Sequence, residues 1–584
     1  MDPGVLAISR AGGLPDLQGA REVLRMAGVP SAVVREAPGL LVATWGGLQL
    51  DGDGSAMLTR ATRRHEADLD AGDVTPLMVR GDVGALREVL PPFAAFTRTG
   101  VSEAVAVTDA LGFRHVYHSH GPGWAAISTS ARVLAVLGDR GLDHDALTLQ
   151  SLLGWQVGQW TLFDGVTKLA PGELVRVRDG HLDVVRAPAA SLQRLELDDA
   201  VDQAADLLRR YLTTYVTDHP DATLQLTGGQ DSRILLSAVP PDLRRGLAAI
   251  TLAVPGSPDV AIAADLAART GVRHHVEALE DLARMPADEA HALAVRSSAR
   301  LEGMADPLAL AALSIAEQRF DQGHRIAGLG GEVARGFYYL GRPRPVPVTR
   351  ERVARLTSWR MFANEAIDPL ALAPHLREGA RDRAVDRVHH LMASSGKDWF
   401  EATDEFYLDQ RMQRWAGVTD TAICLDRSVV NPMLDDRFIH IARSMAPESK
   451  RGSLFLARLQ VALDDDLAQV PLDGRPAPRA FAYPGVGDRV QALHKLGRKA
   501  VVKARQRWGH STRPPVGGTV LAGKVVDHWR AHPHLLDRTT VSAVLDEQWV
   551  DDMLRRRVDP APSTVSFVLN VANLPLGATM PATV

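Results

Sequence analysis

The chain has 584 residues, of which 46% are hydrophobic and 23% charged, with a net charge of −4. This length allows two or more domains with full cores, and the nearly balanced charge gives no general argument for nucleic-acid or membrane binding. The only cysteine is Cys424, so an intrachain disulfide is excluded and a reducing, cytoplasmic location is expected. We expect no signal peptide, because Met1-Asp2-Pro3-Gly4 lacks a basic segment. No membrane span is expected either, because no apolar run reaches ~18 residues.

Residues before about 190 form short apolar runs separated by Gly and Asp turns, which is typical of a β-rich domain. Within residues 104–180 an ordered set of landmarks occurs: Asp109, Gly112, Tyr117, Ser128, Ser130, Leu169, Pro171 and Gly172. This stretch resembles the second half of the class II glutamine amidotransferase domain. The resemblance implies an N-terminal-nucleophile (Ntn) type αββα fold for residues 1–190.

The position after Met1 decides what chemistry this domain can perform. In the amidotransferase family the nucleophile there is a cysteine, whereas this chain has Asp2. The thiol that attacks glutamine is therefore missing. We expect no ammonia release from glutamine and a domain that serves as a scaffold or a partner surface.

Residues 223–240, TLQLTGGQDSRILLSAVP, predict a buried strand that opens through two glycines into a helix. A helix N-terminus offers free N–H groups at a positive end, and glycines let the backbone approach a phosphate. Asp231 has a reason to face a phosphate only if a magnesium ion lies between them. The segment resembles the pyrophosphate loop of the ATP pyrophosphatase group, Ser-Gly-Gly-X-Asp-Ser. The predicted ATP-binding residues here are Leu226, Thr227, Gly228, Gly229, Asp231 and Ser232. The alternative is an ordinary strand-to-helix turn.

A parallel, doubly wound sheet is predicted between this loop and the next. Residues 247–254 read as a fully buried strand. A helix follows that Asp259 caps and Gly271 ends, and a further strand begins at His275. In such sheets ligands bind beyond the carboxyl ends of the strands, where both glycine loops are expected to lie.

A second glycine turn, residues 328–336 (GLGGEVARG), follows the apolar run at residues 325–327. Glu332 in this turn and Asp231 in the first can together hold one magnesium ion on a pyrophosphate. The turn resembles the corresponding stretch of the asparagine synthetase and β-lactam synthetase superfamily, and Glu332 falls on its acidic metal ligand. Gly330 and Gly331 are further predicted ATP-binding residues. The alternative for Glu332 is a carboxylate favoured by a helix dipole.

Two stretches of the C-terminal third continue the superfamily resemblance. Residues 432–435, Pro-Met-Leu-Asp, occupy the slot of its Pro-Phe-Leu-Asp segment. Before them, Tyr407, Arg411 and Trp415 are spaced to share one helix face. That face is interpreted either as internal packing or as a wall of the acceptor pocket.

Two departures from the superfamily pattern concern catalytic positions. A lysine that stabilises the adenylating transition state normally follows an Arg-Pro pair, but here Ala477 follows Arg475-Pro476. Arg475 or Arg479 is the predicted substitute for that charge. Leu329 replaces a catalytic Glu or Tyr. Both departures argue against asparagine or β-lactam synthesis and for a different amine.

Taken together, these features resemble most the lasso peptide cyclases of this superfamily. The resemblance implies an ATP- and Mg²⁺-dependent enzyme that adenylates an Asp or Glu side chain of a precursor core peptide. The peptide's N-terminal amine then closes a macrolactam, with release of AMP and pyrophosphate. It also implies a leader-recognition protein and a leader peptidase as partners. Asp231 and Glu332 are the predicted metal ligands, and Asp231, Glu332, Arg475 and Arg479 the predicted catalytic residues.

The predicted fold is α/β. It joins the degenerate amidotransferase-like domain of residues 1–190 to a parallel-sheet synthetase domain of the adenine nucleotide α-hydrolase (PP-loop) type over residues 191–584. Two alternatives remain open from the sequence. One is an asparagine synthetase- or β-lactam synthetase-like ligase with a small substrate and no glutaminase activity. The other is an ATP-binding scaffold that has lost catalysis.

Overall fold

A computed structural model describes residues 2–11, 17–188, 192–253, 258–278, 280–320, 322–483, 517–536 and 539–575. Its strands form three main sheets and one two-stranded sheet, β5-β6. In chain order the strands are β1 Gly4–Arg10, β2 Val33–Ala37, β3 Leu40–Trp45, β4 Ala56–Met57, β5 Arg63–Arg64, β6 Ala67–Asp68, β7 Ala94–Arg98, β8 Glu103–Thr108, β9 Tyr117–Gly121, β10 Trp124–Ser128, β11 Thr167–Lys168, β12 Glu173–Arg178, β13 His181–Arg186, β14 Thr223–Gln225, β15 Ala248–Ala253, β16 Arg273–Ala278, β17 Arg325–Ile326 and β18 Val429–Val430.

The first two sheets are antiparallel and lie face to face. Their orders are β11-β9-β10-β1-β3-β2 and β13-β12-β8-β7-β4. Side chains alternate along β1, so Val5 and Ala7 pack between the sheets against Phe96 and Val175 of the other sheet. The helices on the outer faces are Leu17–Met26, Ala71–Arg80, Val83–Arg87 and Ala131–Leu137, and the helix His144–Leu153 packs against helices of residues 362–393. The αββα layering predicted for this part of the chain is present.

Leu6 and Ile8, the opposite face of β1, belong to a different core. That core includes Val23 of the first helix and also Trp529 and Phe567, which lie on helices more than 500 residues along the chain. Hydrogen bonds cross between the two parts beside this core. Arg132 Nη2 donates to the Asn573 carbonyl (2.7 Å), and Ser130 Oγ (3.2 Å) and Arg132 N–H (3.1 Å) donate to Glu302 Oε2. The two predicted domains therefore share a hydrophobic core, and the boundary near residue 190 stays a prediction.

The third sheet is parallel, with the order β16-β15-β14-β17-β18. The predicted strands at residues 247–254 and from His275 are confirmed as β15 and β16, although β15 is only partly buried. The predicted helix is Asp259–Thr270, with Gly271 in a left-handed conformation at its end. The prediction that Asp259 caps this helix is wrong, because Asp259 is its first residue and Pro258 occupies the cap position.

Helices cover this sheet and extend beyond it. The α-helices are Leu197–Asp218, Asp231–Ala238, Pro241–Arg244, Asp259–Thr270, Ala287–Arg300, Pro307–Arg319, Arg350–Leu356, Phe362–Glu365, Pro374–Arg377, Ala380–Ala393, Trp399–Phe406, Gly417–Cys424, Asp436–Ser444, Pro447–Lys450, Leu454–Leu463, Asp465–Ala468, Pro478–Ala482, Gly517–Ala531, Thr539–Val544, Glu547–Leu554 and Pro562–Ala572. Short 3₁₀ helices include Gly331–Ala334 and Pro432–Leu434, and π-helices cover Thr357–Met361 and Tyr407–Ala416.

Candidate active site

The strand order of the parallel sheet reverses at β14. The chain adds β15 and β16 on one side of it and then returns to place β17 and β18 on the other. The crevice between β14 and β17 is therefore a topological switch point, where open parallel sheets bind ligands at the carboxyl ends of the strands. The first glycine loop follows β14 and the second follows β17. Both predicted loops thus lie at this crevice.

The two glycine loops contact each other directly, and two glycines make this possible. A Cβ added at Gly328 would lie 3.0 Å from the Ser232 backbone nitrogen, and one added at Gly331 would overlap the carboxylate of Asp231. Gly330 has φ +118°, and a Cβ there would meet the Met433 backbone. Only glycine lets the second loop sit this close to the first.

Asp231 and Glu332 converge on one arginine that the sequence did not single out. Arg335 Nη2 donates to Glu332 Oε1 (2.6 Å), and Arg335 Nη1 lies 3.6 Å from Asp231 Oδ2. The second oxygen of each carboxylate, Asp231 Oδ1 and Glu332 Oε2, is buried without a hydrogen-bond partner. Buried polar atoms are normally paired, so two carboxylate oxygens without partners at one place fit an oxygen-liganded cation such as Mg²⁺.

The electrostatics of Asp231 agree with a charged ligand. Burial raises the pKa of its carboxyl to about 7, against the opposing effect of the Arg335 guanidinium. Glu332 adds to the rise and Arg475 opposes it. A carboxyl with its pKa raised in this way lacks compensating positive charge, which a divalent cation would supply.

The first glycine loop is closed by hydrogen bonds within the protein. Gly229 N–H donates to Thr227 Oγ1 (3.1 Å), and Thr227 N–H donates to Ser232 Oγ (3.1 Å). Gly228 N–H donates to Asp259 Oδ1 (2.8 Å). The Asp259 carboxylate thus occupies an anion position on the loop instead of capping its own helix. The donors predicted to bind pyrophosphate are placed together, but a phosphate would have to replace these contacts.

Leu226 differs from the other predicted ATP-binding residues. Its side chain is fully buried in the core, its N–H donates to the Ile250 carbonyl, and its own carbonyl accepts from Thr251 Oγ1. Both backbone groups therefore join β14 to its neighbour. Leu226 thus positions the loop through its backbone, and its predicted ATP-binding role stays a prediction.

Of the two arginines predicted to replace the missing lysine, the structure brings only Arg475 to the carboxylates. Burial lowers the pKa of Arg475, and both Arg335 and Asp231 affect it through their charges. Arg479 is paired with Asp465 on the surface instead. The structure therefore favours Arg475 as the charge beside the site.

Arg233, buried in the helix that starts at Asp231, holds the segment that carries Arg475. Its two terminal nitrogens donate to the carbonyls of Val470 and Pro471. The Asp473 N–H donates to the Gly228 carbonyl (3.3 Å). The sequence shows an arginine directly after Ser232, at a position that otherwise begins an apolar helix face. It does not show the partners of Arg233, which lie more than 230 residues away.

A buried polar chain supports the second glycine loop. Asn431 Oδ1 accepts from Leu329 N–H (3.2 Å), and Asn431 Nδ2 donates to Asp420 Oδ2 (2.9 Å). Burial raises the pKa of Asp420 to about 6, although the Asn431 hydrogen bond opposes that rise. Leu329 therefore contributes its backbone to the loop, and its side chain packs against the core.

Aromatic side chains form a wall next to the carboxylates. The Tyr407 ring stacks on Phe337 (4.5 Å between centroids), and the Arg411 guanidinium lies 5.5 Å from Phe337 and 4.8 Å from Trp415. The predicted trio thus meets, but on a π-helix, Tyr407–Ala416, rather than an α-helix. π-Helical turns occur frequently at functional sites. The charge of Glu332 reaches Tyr407, whose pKa burial raises strongly.

Three cavities of the described structure bear on the site or on Asp2, and one of them is lined by Arg335. One of about 470 Å³ opens at Arg335 and is bordered by Tyr339, Arg451 and Ser453. One of about 1010 Å³ lies between the αββα layers and the helices around residues 408–443, and includes Leu434, which also approaches Gly330. A third of about 570 Å³ contains Asp2. Asp2 there forms an ion pair with Arg300 (2.8 Å).

No family model matches the chain, and no curated protein matches its sequence. Among solved structures, a glutamine phosphoribosylpyrophosphate amidotransferase from B. subtilis, complexed with ADP and GMP, is similar with 11% identity and a TM-score of 0.20, over 47% of this chain and 65% of that chain. A structure described as the allosteric regulatory enzyme of purine biosynthesis has 11% identity and a TM-score of 0.19, over 47% of this chain and 74% of that chain. The chain thus spans less than two thirds of the first. These scores are too low to carry an argument.

In the part of the chain that the structure describes, no helix has the length and apolar character needed to cross a membrane.

Proposed function

We propose that the chain is an ATP-dependent, AMP-forming carbon–nitrogen ligase. The observation that carries this proposal is the pair of glycine loops at the switch point. There Asp231 and Glu332 share Arg335, and each keeps one buried oxygen without a partner. Loops of this kind suit a triphosphate, and the carboxylates suit the Mg²⁺ that accompanies it.

The reaction has two steps. A substrate carboxylate oxygen bonds to the α-phosphorus of ATP, the bond between the α- and β-phosphates breaks, and pyrophosphate leaves. An amine nitrogen then bonds to the acyl carbon, the carbon–oxygen bond to AMP breaks, and the nitrogen loses a proton. Overall, carboxylate, amine and ATP give amide, AMP and pyrophosphate.

The residues of this chain have separate tasks in these steps. Asp231 and Glu332 would hold the magnesium ion, which neutralises charge on the phosphates. The helix N-terminus at Asp231, with Gly229 and Ser232, binds the departing pyrophosphate. Arg475 offsets the charge that develops at the α-phosphorus. The side chains around the two glycine loops would hold the amine next to the acyl group. The high effective concentration of the amine there supplies much of the rate.

We further propose that the substrate is a core peptide and the product a macrolactam, as in the lasso peptide cyclases. Three observations support this choice. Asp2 replaces the thiol that would release ammonia. The Tyr407 ring, which the charge of Glu332 reaches, stacks on Phe337, and the Arg411 guanidinium lies between Phe337 and Trp415. The cavity of about 1010 Å³ comes close to the second glycine loop through Leu434, which lies 3.0 Å from a Cβ built at Gly330.

The test is mass spectrometry of the reaction with ATP, Mg²⁺ and a core peptide that has a free N-terminus and an Asp or Glu around position 8. AMP and a peptide lighter by one water, both lost in Asp231→Asn, would support the full proposal. AMP without a dehydrated peptide would move the proposal to a small amine acceptor. ATP binding without turnover, for any carboxylate offered, would overturn ligase activity and favour the scaffold alternative.

A further inference from the structure

A cluster of histidine and aspartate side chains lies at the amino ends of strands β14 and β17, opposite to the glycine loops at their carboxyl ends. Asp221 and His324 precede β14 and β17, whereas the glycine loops follow these strands. His219 ends the helix Leu197–Asp218. One ligand atom from each of the three residues lies within 4.8 Å of the other two. The proposed ligase reaction has no task for this cluster.

One distance in the cluster, at present a hydrogen bond, matches the edge of a tetrahedral metal site, and the other ligand atoms lie within 4.8 Å. His324 Nδ1 lies 3.2 Å from Asp221 Oδ1, close to the edge of about 3.3 Å for a tetrahedron with zinc–ligand bonds of about 2.0 Å. The rings of His219 and His324 face each other at 3.9 Å, and the Tyr215 ring packs on both. The ring planes are 31° apart, so one imidazole must turn for both to point a nitrogen at the same ion.

Asp68 orients one of these rings from outside the cluster. His219 Nε2 donates to Asp68 Oδ2 (2.8 Å), so the inferred site would use Nδ1 of this ring. Metal-binding histidines commonly donate their second N–H to a carboxylate in this way. Asp68 is itself fixed by Arg63, which also pairs with Asp218.

The position of the Asp221 carboxylate in the cluster requires a glycine at residue 323. A Cβ at Gly323 would overlap the Asp221 carboxylate, so any other residue there would displace it. The side chains of Asp221 and His324 are 57% and 34% exposed, so a solvated ion can reach them.

We infer that His219, Asp221 and His324 bind a divalent transition metal of the zinc type, with water as the fourth ligand. Two imidazoles and one carboxylate are a donor set that zinc takes and that magnesium, which prefers oxygen, does not. Through Asp68 on β6, the ion would fasten the two-stranded sheet β5-β6 to the base of the parallel sheet. The inference does not depend on the proposed ligase activity.

The test is Zn²⁺ binding to chelator-treated, full-length protein, measured by competition with a chromophoric chelator in millimolar Mg²⁺. We expect one Zn²⁺ per chain. Asp221→Asn, which nearly keeps the shape of the side chain, should weaken binding at least 10-fold, and Asp68→Asn by about 10- to 100-fold. Zn²⁺ should raise the melting temperature of the wild type but not that of His324→Ala.

Two control variants distinguish this site from others. His275→Ala removes an exposed histidine that also lies beside a carboxylate, that of Glu277, and should leave the affinity unchanged. Asp231→Asn should leave it unchanged as well. Equal affinity in wild type and Asp221→Asn, or loss of the zinc in Asp231→Asn, would overturn the inference. In the latter case the zinc belongs to the candidate active site.

Discussion

Gly331 brings the second glycine loop against the Asp231 carboxylate, with no space for a side chain between them. We expect Gly331→Ala to reduce AMP formation by at least 100-fold, because the added methyl group must push Asp231 away from Glu332. Gly523→Ala is the matched control. Gly523 lies within the helix Gly517–Ala531, and a Cβ there meets nothing within 4 Å. Equal AMP formation in the two variants would contradict the assignment.

Asp420 gives a prediction about stability and pH. Burial raises its pKa from 3.8 to about 6 in the folded protein, so folding favours the protonated form. Its contribution to the free energy of unfolding is fully present below pH 3.8 and is lost as the pH rises to about 6. Asp420→Asn should remove that loss. In urea denaturation, the stability of the variant relative to wild type should rise between these pH values. If the free energy of unfolding changes with pH in the same way in the variant and the wild type, the raised pKa of Asp420 is contradicted.

Sequence reasoning reached the residues of the site that belong to short local patterns. Asp231 and Glu332 follow glycine turns after apolar strands, and the structure places them together. Arg335 and Asp259 were not found, because their roles arise from tertiary contacts. Asp259 was predicted as a cap because helix starts favour aspartate. Its carboxylate instead accepts the N–H of a glycine 31 residues away.

At the scale of elements, the contacts that hold residues 470–475 place Arg475, and not Arg479, beside the carboxylates. The sequence alone did not distinguish these two arginines. Arg475 lies beside Asp231 and Arg335, while Arg479 pairs with Asp465. We expect Arg475→Ala to lower the rate of pyrophosphate release by about 10²- to 10³-fold, the usual cost of removing one stabilising charge from a transition state. Arg479→Ala should stay within about threefold of wild type. Steady-state kinetics of both variants would reveal the reverse order if Arg479 carries the charge.

The π-helix Tyr407–Ala416 carries another prediction, which concerns the acceptor rather than ATP. Trp415 is 41% exposed and lies over Arg411. Trp415→Ala should therefore raise the acceptor KM by about 10-fold or more while ATP–pyrophosphate exchange continues. Trp359→Ala, at a tryptophan that is 61% exposed, is the control. Loss of exchange in Trp415→Ala would place this residue in the adenylating step.

The π-helix also illustrates why element type was partly missed. The spacing of Tyr407, Arg411 and Trp415 fits an α-helix. The local sequence carries no Gly or Pro signal for a π-helix, and packing against Phe337 is a tertiary effect. The strands β14 and β17, in contrast, were predictable because apolar runs ending in glycine turns are local features, whereas β18 was not predicted.

At the scale of the whole molecule, the order of the two parts along the chain was predictable from the order of their motifs. The hydrophobic core that the two parts share was not. Leu6 and Ile8 share one core with Trp529 and Phe567. We expect a single cooperative transition in calorimetry, because neither part buries its apolar surface alone. Residues 1–190 produced separately should aggregate or bind a hydrophobic dye. Two separate transitions, with a soluble folded fragment, would contradict this expectation.

The bond between Arg132 and Asn573 joins positions 441 residues apart. During translation, the helix Ala131–Leu137, which carries Arg132, is complete in sequence long before the helix Pro562–Ala572 that belongs to the same core has been made. At about 5–20 residues per second, the apolar surface that this core buries last waits for tens of seconds. The nascent chain is thus a natural client for chaperones, and its yield in a cell should depend on them more than its final stability suggests.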